Sequence, residues 1–173
     1  MTLQYSKMSA GNSVLVCHHT CLSTTDPVAG PWTLHSTTVR KRFRHSGAVA
    51  GDRLYLLAGW HEEAAQTTEW IAAGSTEWTL GPDIPHSVGY GSCSVSPSPT
   101  EVIITGGARS LGKAARLDVK TDVWTDLPDL PRLRHYHGCA VVDRGEKGKY
   151  LVVAGGYFPT LIVKIDFVLL IFF

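Results

Sequence analysis

The first residues that could do chemistry form a short cluster near the N-terminus: Cys17, His18, His19 and Cys21. Thiolates and imidazoles are good zinc ligands, but this spacing matches no paired-ligand pattern and no second ligand pair follows it. Neighbouring residues of a strand point to opposite faces, so Cys17 and His18 would diverge. We therefore expect an ordinary strand with exposed histidines here, and no metal site.

Two further cysteines, Cys93 and Cys139, stand 46 residues apart, and His45 and His137 stand 92 apart. The sequence near either cysteine offers no base that would activate a thiolate nucleophile. Paired carboxylates, a nucleophile elbow and a phosphate loop are also missing from the sequence. We expect the cysteines to be small residues of a crowded strand and the histidines to anchor the framework. The sequence predicts neither enzyme activity nor a cofactor.

A basic run, RKRFR from Arg40 to Arg44, raises nucleic acid as a possible partner. The formal charge of the chain is only +1, from 16 Lys and Arg against 15 Asp and Glu, which excludes a globally basic nucleic-acid binder. Short basic runs of this kind are usually loops, or at most localisation signals. We do not expect nucleic-acid binding.

The composition is typical of a chain that folds around a core, since 44% of residues are hydrophobic and 18% are charged. Seventeen Gly, nine Pro and five Trp favour short strands and turns over helices. Four cysteines are too few for a disulfide-dense scaffold, and no signal peptide is evident. We expect a cytoplasmic protein, with the nucleus as an alternative, and reduced thiols. Lys164 and Asp166 interrupt the apolar C-terminal stretch, so we expect no membrane anchor.

A repeat of about 46 residues supplies the elements that would position these side chains. Its landmarks are three tryptophans at intervals of 46, Trp32, Trp78 and Trp124, and three glycines that each close an apolar strand, Gly59, Gly107 and Gly156. In the second copy, four strand-like pieces cover 91–95, 101–105, 114–119 and 122–126. Four antiparallel strands in such a period are typical of one blade of a β-propeller.

These residues resemble the kelch repeat. That repeat has an Arg and a His before the innermost strand, a Gly pair after the second, and a Tyr-Asp pair followed by Trp. Leu117, Asp118 and Trp124 match the last of these spacings with Leu in place of Tyr, and the middle copy has Val88 and Gly91 in place of Arg and His. The resemblance implies an all-β fold, namely an incomplete kelch-type β-propeller of four-stranded antiparallel blades.

The resemblance also divides the chain. We predict a disordered N-terminus over 1–12, outer strands of a partial blade over 13–32, blades over 33–80 and 81–127, a partial blade over 128–167, and an apolar non-repeat tail over 168–173. Propellers close with roughly four to eight blades. We therefore expect the remaining blades to come from a longer kelch protein, of which this sequence is a segment or a truncated gene model.

Kelch propellers generally bind partner proteins, so the resemblance implies a protein-interaction module, such as a substrate adaptor or a cytoskeletal scaffold. In a four-stranded blade, the interblade loops and the loops between the second and third strands emerge on one face. On that face, the residues that we predict to bind the partner are five cations and four aromatic residues: Arg40, Lys41, Arg109, Lys113, Arg132, Trp60, Tyr90, Tyr136 and Tyr157. We predict that it binds an acidic segment of a partner, with Arg109 and Arg132 as the main anchors. The alternative is a fragment of a kelch-like propeller enzyme, an oxidase or a sugar epimerase.

Overall fold

The computed structural model describes residues 5–7, 14–17, 19–26, 28–61, 63–158, 161–162 and 170–172. For 5–7, 14–16, 158, 161–162 and 170–172 the description covers the backbone alone. The described chain is all-β apart from one 3₁₀ turn, Gly145–Lys147. None of its described segments forms a helix long and apolar enough to cross a membrane.

Three four-stranded antiparallel sheets follow one another along the described chain. The first sheet consists of β1 (Tyr5–Lys7), β2 (Val14–Cys17), β3 (Thr20–Thr24) and β4 (Thr33–Thr37). The second consists of β5 (Ser46–Ala50), β6 (Arg53–Leu57), β7 (Thr68–Ala72) and β8 (Thr79–Leu80). The third consists of β9 (Cys93–Ser98), β10 (Glu101–Thr105), β11 (Ala114–Asp118) and β12 (Val123–Leu127). Strands adjacent in sequence are adjacent in each sheet, so hairpins connect them all.

A fourth sheet is formed by β13 (Gly138–Asp143), β14 (Lys149–Ala154) and β17 (Leu170–Phe172). A separate hairpin pairs β15 (Tyr157–Phe158) with β16 (Leu161–Ile162). The tail predicted as non-repeat therefore contributes a strand, which pairs with β14 through Leu170 to Phe172. Large apolar residues have high strand propensity, which allows this segment to extend an existing sheet.

The sheets stack because the middle strands are apolar on both faces. Leu54 and Leu56 of β6 pack toward the first sheet, in one cluster with Cys21. Tyr55 and Leu57 of the same strand pack in a second cluster with residues of the third sheet, including Val102, Ile104 and Leu117. Ile103 of β10 packs toward the fourth sheet with Leu151 and Val153. The strands β1, β5, β9 and β13 contact one another in that order, so they form the inner edge of the stack.

The strands of the third sheet lie close to the predicted pieces, and β10 matches its predicted piece at both ends. The first sheet differs, because it has four strands where the sequence indicated two over 13–32. Its strand β1 lies inside the N-terminus predicted to be disordered, and β4 lies wholly beyond residue 32, in the range predicted to begin the next blade. A three-residue strand is too short to show an alternating pattern, so its pairing with β2 is not readable from the sequence. Residues 1–4 and 8–12 lie outside the described part.

The expectation of reduced thiols is wrong for this structure, because the four cysteines form two disulfides, Cys17–Cys21 and Cys93–Cys139. The first joins opposed residues of β2 and β3. The second joins β9 to β13, in neighbouring sheets. Cys93 and Cys139 occupy the same place in the sequence repeat, which gave no sign that they face each other. Val95, two residues after Cys93 on β9, packs with Cys139 and Leu151 between the sheets, so this side of β9 faces β13.

Gly107 provides a test of how closely neighbouring loops approach each other. Its φ is +112°, and a Cβ built on it would lie 2.5 Å from the carbonyl oxygen of Val88. We expect Gly107→Ala to lower the free energy of unfolding by about 3 kcal/mol or more, because backbone strain and a backbone clash add. The measurement is urea unfolding followed by tryptophan fluorescence.

Gly74 is the matched control for this substitution. Its φ is +79°, and a Cβ there would meet nothing within 4 Å. Gly74→Ala should therefore cost only about 1 kcal/mol, from the left-handed backbone alone. Equal losses for the two variants would contradict the close approach of Gly107 to Val88.

Candidate functional site

Three equivalent loops bring three residues together where the chain enters the inner strands. Arg44, Tyr90 and Tyr136 follow one another at intervals of 46 and precede β5, β9 and β13. The Tyr136 N–H donates to the Gly91 carbonyl oxygen at 2.6 Å, and the Gly91 N–H donates to the Arg44 carbonyl oxygen at 3.4 Å. The three equivalent residues therefore lie on neighbouring loops on one face of the stack.

Backbone conformation helps each loop to present its side chain. Arg44 and Tyr136 have positive φ, +56° and +54°. Gly89 and Gly91, with φ of +72° and +70°, flank Tyr90 instead. Non-glycine residues seldom adopt this region, and such outliers cluster at ligand sites and switch regions.

The guanidinium of Arg44 lies among three aromatic rings. Its central carbon is 5.2 Å from the ring centroid of Trp60, 5.7 Å from that of Tyr90 and 5.9 Å from that of Tyr136. The Nη1 atom of Arg44 donates a hydrogen bond to the Tyr136 hydroxyl oxygen at 2.9 Å. Cation–π attraction and this hydrogen bond together hold the cation in a fixed place.

The rings also contact one another. Trp60 stacks on Tyr90 with centroids 4.5 Å apart, and the Tyr90 and Tyr136 centroids are 5.7 Å apart. Trp60 is 45% exposed and Tyr136 is 49% exposed. We call Arg44, Trp60, Tyr90 and Tyr136 the arginine–aromatic surface. Tyr90, which lies between Trp60 and Tyr136, is partly exposed.

The row of rings continues beyond this surface on both sides. Phe43 stacks on Trp60 at 5.8 Å between centroids. At the other end, His135 contacts Tyr136 at 5.0 Å and Tyr157 at 5.4 Å. The structure therefore brings together the four aromatic residues that the sequence placed on this face, although Tyr157 is joined to the others through His135.

The predicted cations have different surroundings. Arg40 forms an ion pair with Glu63 at 3.6 Å. Lys113 binds both carboxylate oxygens of Asp129 at 2.9 Å, which raises the pKa of the lysine. Acidic side chains of the same face thus neutralise these two cations.

The other three predicted cations, Lys41, Arg109 and Arg132, are exposed. A Cβ at Gly89 would lie 2.9 Å from Cγ of Arg109, so the stem of Arg109 crosses the loop that carries Tyr90. The sequence prediction did not include Arg44 among the binding residues, although Arg40 and Lys41 of the same basic run were included. The sequence feature that could have identified Arg44 is its spacing of 46 residues from Tyr90 and of 92 residues from Tyr136.

A buried ion pair holds the loop before Arg44. Arg42 and Glu69 both have fully buried side chains and are paired. Arg42 also donates to the Ala58 carbonyl oxygen at 2.9 Å and to the Thr67 hydroxyl at 2.9 Å. Glu69 accepts the backbone N–H groups of residues 39 and 40 at 2.8 and 2.9 Å. Burial lowers the pKa of Arg42, and the charge of Glu69 acts in the opposite direction.

The third sheet replaces both members of this pair. Val88 and Ala115 stand 46 residues after Arg42 and Glu69. They are 1% and 0% exposed and lie in the same apolar cluster. One sheet thus uses a hydrogen-bonded ion pair and the next uses apolar packing for the same loop.

Substitutions can test whether the apolar residues of the third sheet can replace the ion pair of Arg42 and Glu69. Glu69→Ala should lower the free energy of unfolding by about 3–5 kcal/mol, because it leaves the Arg42 charge buried without its partner. Arg42→Val combined with Glu69→Ala copies the residues of the third sheet and should recover most of that loss. A double-mutant cycle by urea unfolding measures the coupling. If the loss of stability in the double variant equals the sum of the losses in the two single variants, the proposed coupling between Arg42 and Glu69 is contradicted.

His137 makes the stability of the fold depend on pH. Its Nε2 atom lies 2.9 Å from the hydroxyl oxygen of Thr105. Burial, with smaller contributions from Arg134 and His135, lowers the pKa of His137 from 6.5 to about 4. The folded protein therefore favours the neutral ring, which fits the framework role expected for this residue.

The sign of the effect follows from this lowered pKa. The unfolded chain binds a proton at His137 below pH 6.5, whereas the folded chain binds it only near pH 4. Stability is thus complete above pH 6.5 and should fall by up to about 3 kcal/mol as the pH drops toward 4. Urea unfolding between about pH 7 and about pH 4.5 measures this slope. The free energy of unfolding should vary less steeply with pH in His137→Gln. An unchanged slope would contradict the assignment of this pH dependence to His137.

Among the described residues, no group of three or more His, Cys, Asp or Glu side chains is placed to hold a metal ion. Cys17 and Cys21 of the N-terminal cluster are disulfide-bonded to each other, and His19 lies 3.1 Å from the Thr38 hydroxyl. His18 lies outside the described residues.

Comparison with known proteins supports the repeat assignment. No protein-family model matches the chain. The chain is similar to Kelch-like protein terF from Aspergillus terreus, with 27% identity over 64% of this chain and 28% of that protein. It is also similar to Kelch domain-containing protein 10 from Xenopus tropicalis and from Xenopus laevis, in each case with 33% identity over 61% of this chain and 28% of the relative. The matched segment thus spans less than a third of the length of each relative.

Proposed function

Because the stacked sheets are the blades of an incomplete kelch-type β-propeller, we propose that this chain is a protein-interaction module whose arginine–aromatic surface binds an acidic segment of a partner protein. The observation that carries the proposal is the exposed guanidinium of Arg44, held among Trp60, Tyr90 and Tyr136. Kelch-repeat modules generally bind proteins, which supports the coarser part of this function.

The chemistry of Arg44 favours a carboxylate as the ligand. A guanidinium carries five N–H donors in a planar fork that matches a carboxylate. The Tyr136 hydroxyl oxygen accepts one of these donors. Because the Arg44 side chain is exposed and already ordered by its neighbours, binding costs less side-chain entropy than it would at a free arginine.

The aromatic residues supply the second part of the surface. Trp, Tyr and Arg dominate the binding energy of protein interfaces, since their large rigid groups bury much area. Trp60 and Tyr90 offer a stacked pair next to the cation. We therefore propose a partner segment that carries a carboxylate for Arg44 and an apolar or aromatic residue beside it.

The charges around the surface have a secondary role in this proposal. Lys41, Arg109 and Arg132 are exposed and would attract an acidic segment over longer distances. Arg40 and Lys113 contribute less, because Glu63 and Asp129 neutralise them. The predictions of an adaptor or scaffold role, of a cytoplasmic location and of no enzyme activity stay predictions.

The test uses a fluorescein-labelled peptide of six glutamates, with a hexaglutamine peptide as the control ligand. Arg44→Ala should weaken binding of the acidic peptide by about tenfold or more, because a hydrogen-bonded charge contact is lost. Fluorescence anisotropy titration of the whole chain at fixed salt gives the dissociation constants.

Arg53 is the matched control residue. Its guanidinium carbon lies 4.0 Å from the ring centroid of Trp70, so it too is an arginine over an aromatic ring. Because β5 and β6 are joined at residues 51–52, Arg53 lies on the opposite face. Arg53→Ala should leave peptide binding within about twofold of wild type. Equal effects of the two substitutions would overturn the proposal, and binding of a single-stranded oligonucleotide alone, with a steep salt dependence, would replace it with nucleic acid.

A further inference from the structure

The disulfide Cys93–Cys139 lies directly behind two tyrosines of the arginine–aromatic surface. Cys93 follows Tyr90 by three residues on β9, and Cys139 follows Tyr136 by three residues on β13. The Cα atoms of the two cysteines are 5.9 Å apart. The bond therefore joins the inner strands of two neighbouring blades just after the loops that present Tyr90 and Tyr136.

The same two loops have other, weaker connections. The Tyr136 N–H donates to the Gly91 carbonyl oxygen at 2.6 Å, and the two tyrosine rings are in contact. These links depend on the relative position of β9 and β13, which the disulfide fixes covalently. Breaking the bond would leave the position of the tyrosines, and so of the Arg44 guanidinium, to these weaker links.

The blades would stay packed without the bond. Ile103, Leu151 and Val153 form a buried apolar cluster between the third and fourth blades, and Val95 of β9 packs against it. Burial of such side chains is what holds stacked sheets together. Reduction is therefore expected to loosen the loops at the surface and not to unfold the chain.

The two disulfides differ in their access to solvent. Cys93 and Cys139 are both partly exposed. By contrast, Cys21 is fully buried, which shields the other disulfide on one side. Disulfide exchange requires direct attack of a thiolate on a sulfur atom, so access decides which bond reacts first.

We propose that the Cys93–Cys139 disulfide is a redox-sensitive tether that sets the spacing of Tyr90 and Tyr136 and thereby regulates the arginine–aromatic surface. The regulation of binding rests on the proposed function, whereas the effect on loop spacing does not. A small dithiol supplies two electrons and two protons: the bond between the cysteine sulfurs breaks, each sulfur becomes a thiol, and the reductant becomes a cyclic disulfide. Oxidised glutathione reverses the change.

The first experiment tests whether the Cys93–Cys139 bond forms and how it affects the loops. The whole chain is oxidised with glutathione disulfide or reduced with dithiothreitol, and peptide mapping without reduction identifies the linked cysteines. Hydrogen exchange by NMR then follows the amide of Tyr136, which bonds to Gly91 across the two loops. We expect this amide to exchange about tenfold faster or more after reduction. The amide of Val119, which bonds to Thr100 on the opposite face, should not change.

Paired variants separate the tether from general effects of reduction. Cys93→Ser with Cys139→Ser should show fast exchange at Tyr136 under both conditions. Cys17→Ser with Cys21→Ser removes the other disulfide and should keep the difference between oxidised and reduced chain. A chain with no Cys93–Cys139 peptide after oxidation, or with the same Tyr136 exchange in both states, would overturn the tether.

The second experiment measures binding of the labelled hexaglutamate peptide to the oxidised and reduced chain. Affinity lower by about fivefold or more after reduction would support regulation of the surface. Equal affinity in both states, with exchange at Tyr136 still changed, would overturn the regulatory role. If the peptide binds neither state while the exchange difference persists, the proposed function fails and the tether stands.

Discussion

The whole structure depends on burying both faces of thin, four-stranded sheets. Strand β6 shows the constraint most clearly, because Leu54 and Leu56 face one neighbour while Tyr55 and Leu57 face the other. A single sheet of this size without neighbours would leave both of these faces exposed to water. Stacking therefore fixes the position of each blade relative to the next. The loops that carry Arg44, Tyr90 and Tyr136 meet because their blades are held together elsewhere.

The loop before each inner strand is held by different chemistry in adjacent blades. Arg42 and Glu69 satisfy each other and several backbone groups, whereas Val88 and Ala115 at the equivalent positions are simply packed. Buried ion pairs can often be replaced by apolar residues of suitable shape, provided that both partners change together. The repeat thus preserves the position of the loop while its chemistry varies. This freedom allows the loop tips to diverge into an arginine in one blade and tyrosines in the next two.

The sequence predicted the structure best at repeated positions that must also be buried between sheets. Strand β10 and the four aromatic residues of the face were predictable, because apolar runs and tryptophan intervals set the register of each blade. The pairing of Cys93 with Cys139 was not predictable, since equal repeat positions suggest side chains that point the same way. The predicted binding residues did not include Arg44. The rings around Arg44 lie on other loops, so its local sequence does not indicate them, and only the repeat interval of 46 links it to Tyr90 and Tyr136.

The arginine–aromatic surface and the cations around it differ from a simple basic surface. Glu63 and Asp129 cancel the charges of Arg40 and Lys113, so part of the positive field expected from the sequence is absent at close range. The cation at the centre is Arg44, whose guanidinium carbon lies 5.2, 5.7 and 5.9 Å from three ring centroids. Exposed charges that act at a distance are screened beyond about 8–10 Å at physiological salt. Contacts to an ordered arginine and its rings are less sensitive to salt, so under the proposed function the shape of the partner segment would contribute to selectivity along with its charge.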